Sequence, residues 1–347
     1  MGVNKRIDTR RKNITMRDVA QRAGVSQSTV SRVLSGASEP IPIGAETQQR
    51  VLDAVAELGY QPNLHAGSLR GQKTRMIAVM IADIVNPFYH GIIRTIQDRA
   101  NREGYDTMIA NSDHVADEEL RFVNSIIRRP VDGAILIPYH LTDDDLDGLI
   151  ERTGVQLAVL GQNTFHPAVD VVFSKDGEET RKAIIWLHEE KLHTAIGFIG
   201  VSDLNHAGAR RRRAYREVMQ SRSLLIPAGF EQEGDWTYVG GHRAMQRLLS
   251  LPARPTAVFA CNDLMAIGAL HAINEAGLRV PDDIALVGFD DIPAAAWVQP
   301  RLTTIAQQPG AIGQCLAGAL FQRINGGYEG PGRHFEIRSQ FVERESA

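Results

Sequence analysis

At 347 residues the chain is too long for one ordinary core and long enough for two or three. With 43% hydrophobic and 23% charged residues, no apolar run of membrane-spanning length, and only Cys261 and Cys315, it reads as a soluble cytoplasmic protein without disulfides, structural zinc or other metal. The net charge of −3 is uneven: residues 1–75 carry 12 Lys/Arg against 6 Asp/Glu and the remainder 26 against 35, so a basic head suited to a polyanion precedes an acidic body.

The chain opens on basic residues (Lys5, Arg6, Arg10, Arg11, Lys12) with no apolar stretch behind them, so no secretory signal is expected. Thr15 fits an N-cap for a helix over 16–23, because its hydroxyl can accept a free backbone N–H. Gly24-Val25-Ser26 then forms a turn: glycine takes the left-handed conformation, and Ser26 caps a second helix over 27–34. Val19, Ala20, Ala23, Val25, Val30, Val33 and Leu34 supply a shared apolar face. A third helix over 46–58 is expected to bury Val51, Leu52, Val55 and Leu58 and to stop at Gly59. Between the last two, Glu39-Pro40-Ile41-Pro42 must be a loop, since proline cannot sit inside a helix.

From Met76 onward the pattern changes. Short apolar runs at 77–81, 106–110, 133–137, 156–160, 195–199, 257–260 and 284–287 predict strands buried on both faces of parallel sheets. Amphipathic stretches such as 89–102, 118–129, 178–190 and 264–276 predict helices between them. This βαβ alternation predicts two doubly wound parallel-sheet subdomains, with ligand sites beyond the carboxyl ends of the strands.

The run Thr15-Met16-Arg17-Asp18-Val19-Ala20-Gln21-Arg22-Ala23-Gly24-Val25-Ser26-Gln27-Ser28-Thr29-Val30-Ser31-Arg32-Val33-Leu34 resembles the helix-turn-helix of the LacI family, and the likeness continues through Thr47, Val51, Leu58-Gly59-Tyr60 and Pro62-Asn63 into the body. It implies an all-α helix-turn-helix head (residues 13–61), a hinge (62–74) and an α/β, type I periplasmic-binding-protein-like body (75–347). Within the body it implies one subdomain of about 75–174 and 305–335 and another of about 175–304 and 336–347. Gln27 and Ser28 would read base edges, Arg32 a base or the backbone nearby, and Ser26, Thr29 and Ser31 phosphates, with Thr15 also among the DNA-binding residues. In the hinge, Asn63 and Ala66 would meet DNA while Leu69 wedges into the minor groove. Gly67 departs from the family pattern there, where an arginine or other good helix former is usual, and glycine costs about 1 kcal/mol inside a helix. The prolines around Pro40 add a loop.

The resemblance also implies an effector site. Phe88 and Tyr89, after the first strand, would stack on a ligand. Gln162, Arg211, Trp236, Asn262, Asp290 and Gln307 would complete a pocket in which Asp290 accepts hydroxyl protons, Arg211 and Asn262 donate, and rings pack on apolar sugar faces. Ala207, Gly208 and Gln162 depart from common family residues and leave the ligand's identity open. Taken singly, these residues read more blandly: Trp236 and Phe88 as core, Asp290 and Asp291 as a loop pair, Arg210–Arg213 as a solvated face with only Arg211 turned inward.

These readings converge on a transcription regulator, most simply a repressor. It would bind palindromic double-stranded operator DNA as a homodimer under control of a small-molecule, carbohydrate-like effector, with no cofactor and no membrane. The alternatives are a free sugar-binding protein, a regulator corepressed by a purine-type ligand, or an enzyme. No P-loop, dinucleotide fingerprint, HExxH or nucleophile elbow supports the last. The terminal run Glu343-Arg344-Glu345-Ser346-Ala347 shows no leucine heptad, so a dimer is expected rather than a tetramer.

Overall fold

A computed structural model describes residues 14–35, 43–60 and 73–347. The chain divides into two compact units, Met1–Thr74 and Arg75–Ala347. The expected hinge with Asn63, Ala66, Gly67 and Leu69, the Pro40–Pro42 loop and Lys12 lie outside the described residues.

In the first unit, α1 (Met16–Ala23), α2 (Gln27–Ser35) and α3 (Ala45–Leu58) surround a small core. Thr15 caps α1 through a reciprocal box: its backbone N–H and hydroxyl donate to the Asp18 carboxylate at 2.8 and 2.6 Å, and the Asp18 N–H returns to the hydroxyl. Gly24, at φ 67°, ends α1 in the left-handed conformation. Val19, Ala20, Ala23, Val30, Val51, Ala54 and Tyr60 form the centre. Leu52, expected inside, is 47% exposed. It directly follows Val51, and about 100° of helical rotation per residue turns it to solvent while Val51, Ala54, Val55 and Leu58 share the inward face.

The second unit holds two parallel sheets. The strands β1 (Met76–Ile81), β2 (Asp106–Asn111), β3 (Gly133–Leu136), β4 (Gln156–Leu160), β5 (Asp170–Phe173) and β11 (His334–Glu336) form the first, in the order β11-β5-β4-β3-β1-β2. The second runs β7-β6-β8-β9, from β6 (Ile196–Gly200), β7 (Glu231–Glu233), β8 (Ala257–Ala260) and β9 (Ala285–Val287). A small antiparallel pair joins β10 (Thr304–Ala306) to β12 (Gln340–Val342).

The residues of β1 explain why both faces of the first sheet must be covered. Ile77, Val79 and Ile81 enter one core with α4 (Phe88–Arg102) and α11 (Pro309–Ile324). Ala78 and Met80 enter another with α5 (Ala116–Arg128) and α6 (Asp143–Thr153). Alternation of side chains along an all-apolar strand thus feeds two helical layers. Around the second sheet, α7 (Asp176–Glu189), α8 (His206–Ser221), α9 (Tyr238–Leu249) and α10 (Asp263–Glu275) pack on one continuous core.

Candidate functional site

On the first unit, the Ser26 hydroxyl accepts the Thr29 N–H at 3.1 Å and lies 2.7 and 2.8 Å from the Ser28 and Thr29 hydroxyls. Ser26 therefore caps α2. Gln27 and Ser28 are exposed in its first turn, Thr29, Ser31 and Arg32 are half-buried, and Val30 is wholly buried against the core. Arg22, on α1, forms an ion pair with Glu57 of α3 at 2.6 Å. The start of α2 thus presents polar side chains, and its apolar side holds it in place.

The second unit has a cleft where the carboxyl ends of strands from both sheets converge. Following the first sheet, β1 leads to Asn86, Phe88 and Tyr89, β2 to His114, β3 to Tyr139, β4 to Gln162 and β5 to Ser174 and Asp176. From the other side come Ala207 and Arg211 after β6, Trp236 after β7, Asp290 after β9 and Gln307 after β10. Parallel strands direct their loops to one end, which is where doubly wound folds hold ligands.

Within the cleft the Tyr89 and Tyr139 hydroxyls meet at 3.0 Å, and the Phe88 ring stands edge-on to Tyr89 at 5.1 Å. His114 stacks on Trp236 at 6.0 Å, yet among the described residues neither of its buried ring nitrogens has a hydrogen-bond partner. Burial lowers its pKa to about 4, so the ring is neutral at ordinary pH. Arg211 donates to the Cys261 carbonyl and lies 3.6 Å over the Phe289 ring. Gln307 bridges the two halves, receiving Ser174 Oγ at 3.1 Å and donating to Asp290 at 2.6 Å. Burial raises the Asp290 pKa to about 7, against the opposing pull of Arg211 and Gln307. Deeper still, the Asp263 carboxyl is held well above the usual carboxylate range by burial, with hydrogen bonds from Thr304 at 2.5 Å and the Ile292 N–H at 2.8 Å.

Three residues of this cleft, His114, Trp236 and Asp290, have φ of 57°, 69° and 118°. Non-glycine residues rarely occupy that region, and such strain collects at functional sites. Backbone geometry and polar chemistry therefore coincide here.

Of the expected effector residues, Phe88, Tyr89, Gln162, Arg211, Trp236, Asp290 and Gln307 line the cleft. Asn262 does not. Its Oδ1 caps α10 by accepting the Met265 N–H at 2.9 Å, and its Nδ2 holds the Trp236 carbonyl at 2.9 Å. The reading of the arginine run also needs correction. Arg210 spans Asp176 with two hydrogen bonds of 2.9 and 3.1 Å, and Arg212 is buried on Asp203 and the Val201 carbonyl, leaving Arg213 alone exposed. The sequence reading missed His114, Tyr139, Asp176 and Arg210. The first three each sit three residues beyond a strand's carboxyl end, a signal that would have found them.

Comparison with known proteins adds a separate line of support. Residues 15–63 match the family described as bacterial regulatory proteins, lacI family, and residues 187–347 match the periplasmic binding protein-like domain. A relative from Pasteurella multocida, the HTH-type transcriptional repressor PurR, is 32% identical over 311 residues, spanning 90% of this chain and 92% of that protein. Among solved structures, the lac repressor dimer bound to operator and the anti-inducer ONPF aligns with a TM-score of 0.79 at 28% identity, covering 96% of this chain and 99% of the other. The transcriptional regulator CelR–cellobiose complex aligns at 0.70 and 29%, covering 96% and 100%.

Proposed function

The chain belongs to the LacI family of bacterial regulatory proteins and is a DNA-binding transcriptional regulator with an effector-binding body, and on that premise we propose that it represses transcription from a palindromic operator, bound as a homodimer, in response to a hydroxyl-rich effector of the carbohydrate class. One observation carries the effector reading. Strand ends of both sheets bring opposed polar groups (Arg211, Asp290, Gln307) beside stacked rings (Trp236, His114), and both buried nitrogens of His114 lack a partner among the described residues. A sugar suits such a lining: hydroxyls satisfy donors and acceptors in turn, and an apolar ring face rests on an aromatic. The CelR–cellobiose complex supports the choice of ligand class.

On the head, the exposed Gln27 and Ser28 read major-groove edges, with Arg32 contacting a base or backbone nearby, Ser26, Thr29 and Ser31 facing phosphates, and Thr15 also contacting DNA. Asn63, Ala66 and Leu69 complete the proposed DNA contacts. A regulator of this kind acts in the cytoplasm and needs no catalysis.

The test is recovery of genomic fragments by the purified protein, followed by footprinting with and without a panel of sugars. A protected palindrome whose occupancy one sugar shifts is the expected result. Uniform retention of fragments, without a common palindrome, would overturn the reading.

A further inference from the structure

Helices α9 and α10 cross with their backbones almost touching. A Cβ on Gly268 would lie 2.0 Å from the Tyr238 carbonyl oxygen and 2.8 Å from the His242 nitrogen, and one on Gly241 would lie 2.1 Å from the Met265 carbonyl oxygen. That crossing fixes His242, which follows Gly241, against His271, one helical turn beyond Gly268. Glu275 follows His271 by four residues and so shares its helix face. The carboxylate consequently meets both rings: His242 Nε2 lies 2.6 Å from Glu275 Oε2, and His271 Nε2 lies 3.3 Å from Oε1. One donor atom from each of the three falls within 4.8 Å of the others.

We propose that His242, His271 and Glu275 form a binding site for a divalent transition metal, best suited to Zn2+, on the paired helices α9 and α10. Two imidazoles and a carboxylate are a recognised zinc donor set, with the fourth position left to water. Tetrahedral Zn2+ at about 2.0–2.1 Å from each ligand holds its donors about 3.3 Å apart. The three donor atoms already lie within 4.8 Å of one another, so small side-chain rotations bring both rings and one carboxylate oxygen around the ion. His271 and Glu275 are 69% and 49% exposed and His242 24%, which gives a hydrated ion access and a partly sheltered seat.

Local electrostatics point the same way. Glu275 is the last residue of α10, and the last turn of that helix has no basic residue. A carboxylate at the negative end of a helix dipole is unfavourable, and a dication offsets it. As simple ion pairs the same contacts are exposed and screened, and they give little reason for three such groups to gather. His242 and His271 stand far apart in sequence, so their nearness shows only once the two helices are packed.

The experiment uses full-length protein, free of any histidine tag and stripped by a chelator, titrated with zinc chloride in a calorimeter. About one Zn2+ per chain is expected, with a rise in the thermal unfolding midpoint. His271→Ala and Glu275→Gln should each weaken binding more than about 100-fold, beyond the loss caused by removing a ligand's outer-sphere partner. Both variants should keep the metal-free unfolding midpoint, since these side chains are largely exposed. Absence of zinc binding at micromolar concentration, or undiminished binding in His271→Ala, would overturn the proposal.

Discussion

Asp290 carries more consequences than any other residue of the cleft. Unfolded, its carboxyl titrates near 3.8; folded and buried, at about 7. Between those values the native chain holds a proton that the unfolded chain has released, so stability falls as pH rises through that window. The buried Asp263 carboxyl shifts in the same direction and adds to the effect. Asp290→Asn removes one ionisable contributor while keeping an acceptor beside Gln307. Urea unfolding at pH 5 and pH 8 should therefore show a smaller loss of stability in the variant than in the natural chain. Equal losses in the two would mean that Asp290 ionises without penalty. Much of the cleft was legible because Arg211, Trp236, Asp290 and Gln307 follow strands in an ordered series. Asn262 was misread because a strand-end amide looks the same in sequence whether it faces a ligand or caps the next helix.

At the scale of elements, two glycines separate packing from propensity. Gly268 admits no Cβ without displacing the backbone of α9, whereas a Cβ on Gly148, in α6, meets nothing within 4 Å among the described residues. Gly268→Ala should destabilise the body by about 3 kcal/mol or more, at or beyond the upper range of overpacking. Gly148→Ala should stabilise it by about 0.4–1 kcal/mol by narrowing the unfolded ensemble. Denaturant midpoints of the two variants against the natural chain check both signs. The same contrast explains which elements could be read from sequence. Buried strands such as β1 and β8 announce themselves by continuous apolar runs. The short strands β7, β11 and β12 carry Glu231-Gln232-Glu233, His334-Phe335-Glu336 and Gln340-Phe341-Val342, and only pairing partners define them.

For the whole molecule, the proposal is that two chemistries, one on each unit, are coupled. A palindrome reader needs two heads, so sedimentation at micromolar concentration should give a dimer, and a monomer or tetramer would count against the scheme. The coupling makes a sharper demand, because each site should fail separately. Gln27→Ala should lower affinity for the specific operator by about 1–3 kcal/mol per lost base contact while leaving random DNA nearly unaffected. Effector binding to the free protein should be unchanged in that variant. Asp290→Ala should do the reverse, keeping operator affinity and losing the shift that effector produces, since a ligand moves an equilibrium only through its differential affinity for two states. Four titrations decide it: operator with each variant, in the presence and absence of effector. If Asp290→Ala abolished operator binding outright, the cleft would be a structural support for DNA binding and not a control site. If Gln27→Ala weakened specific and random DNA alike, the start of α2 would be holding phosphates, and base readout would have to be sought elsewhere on the head.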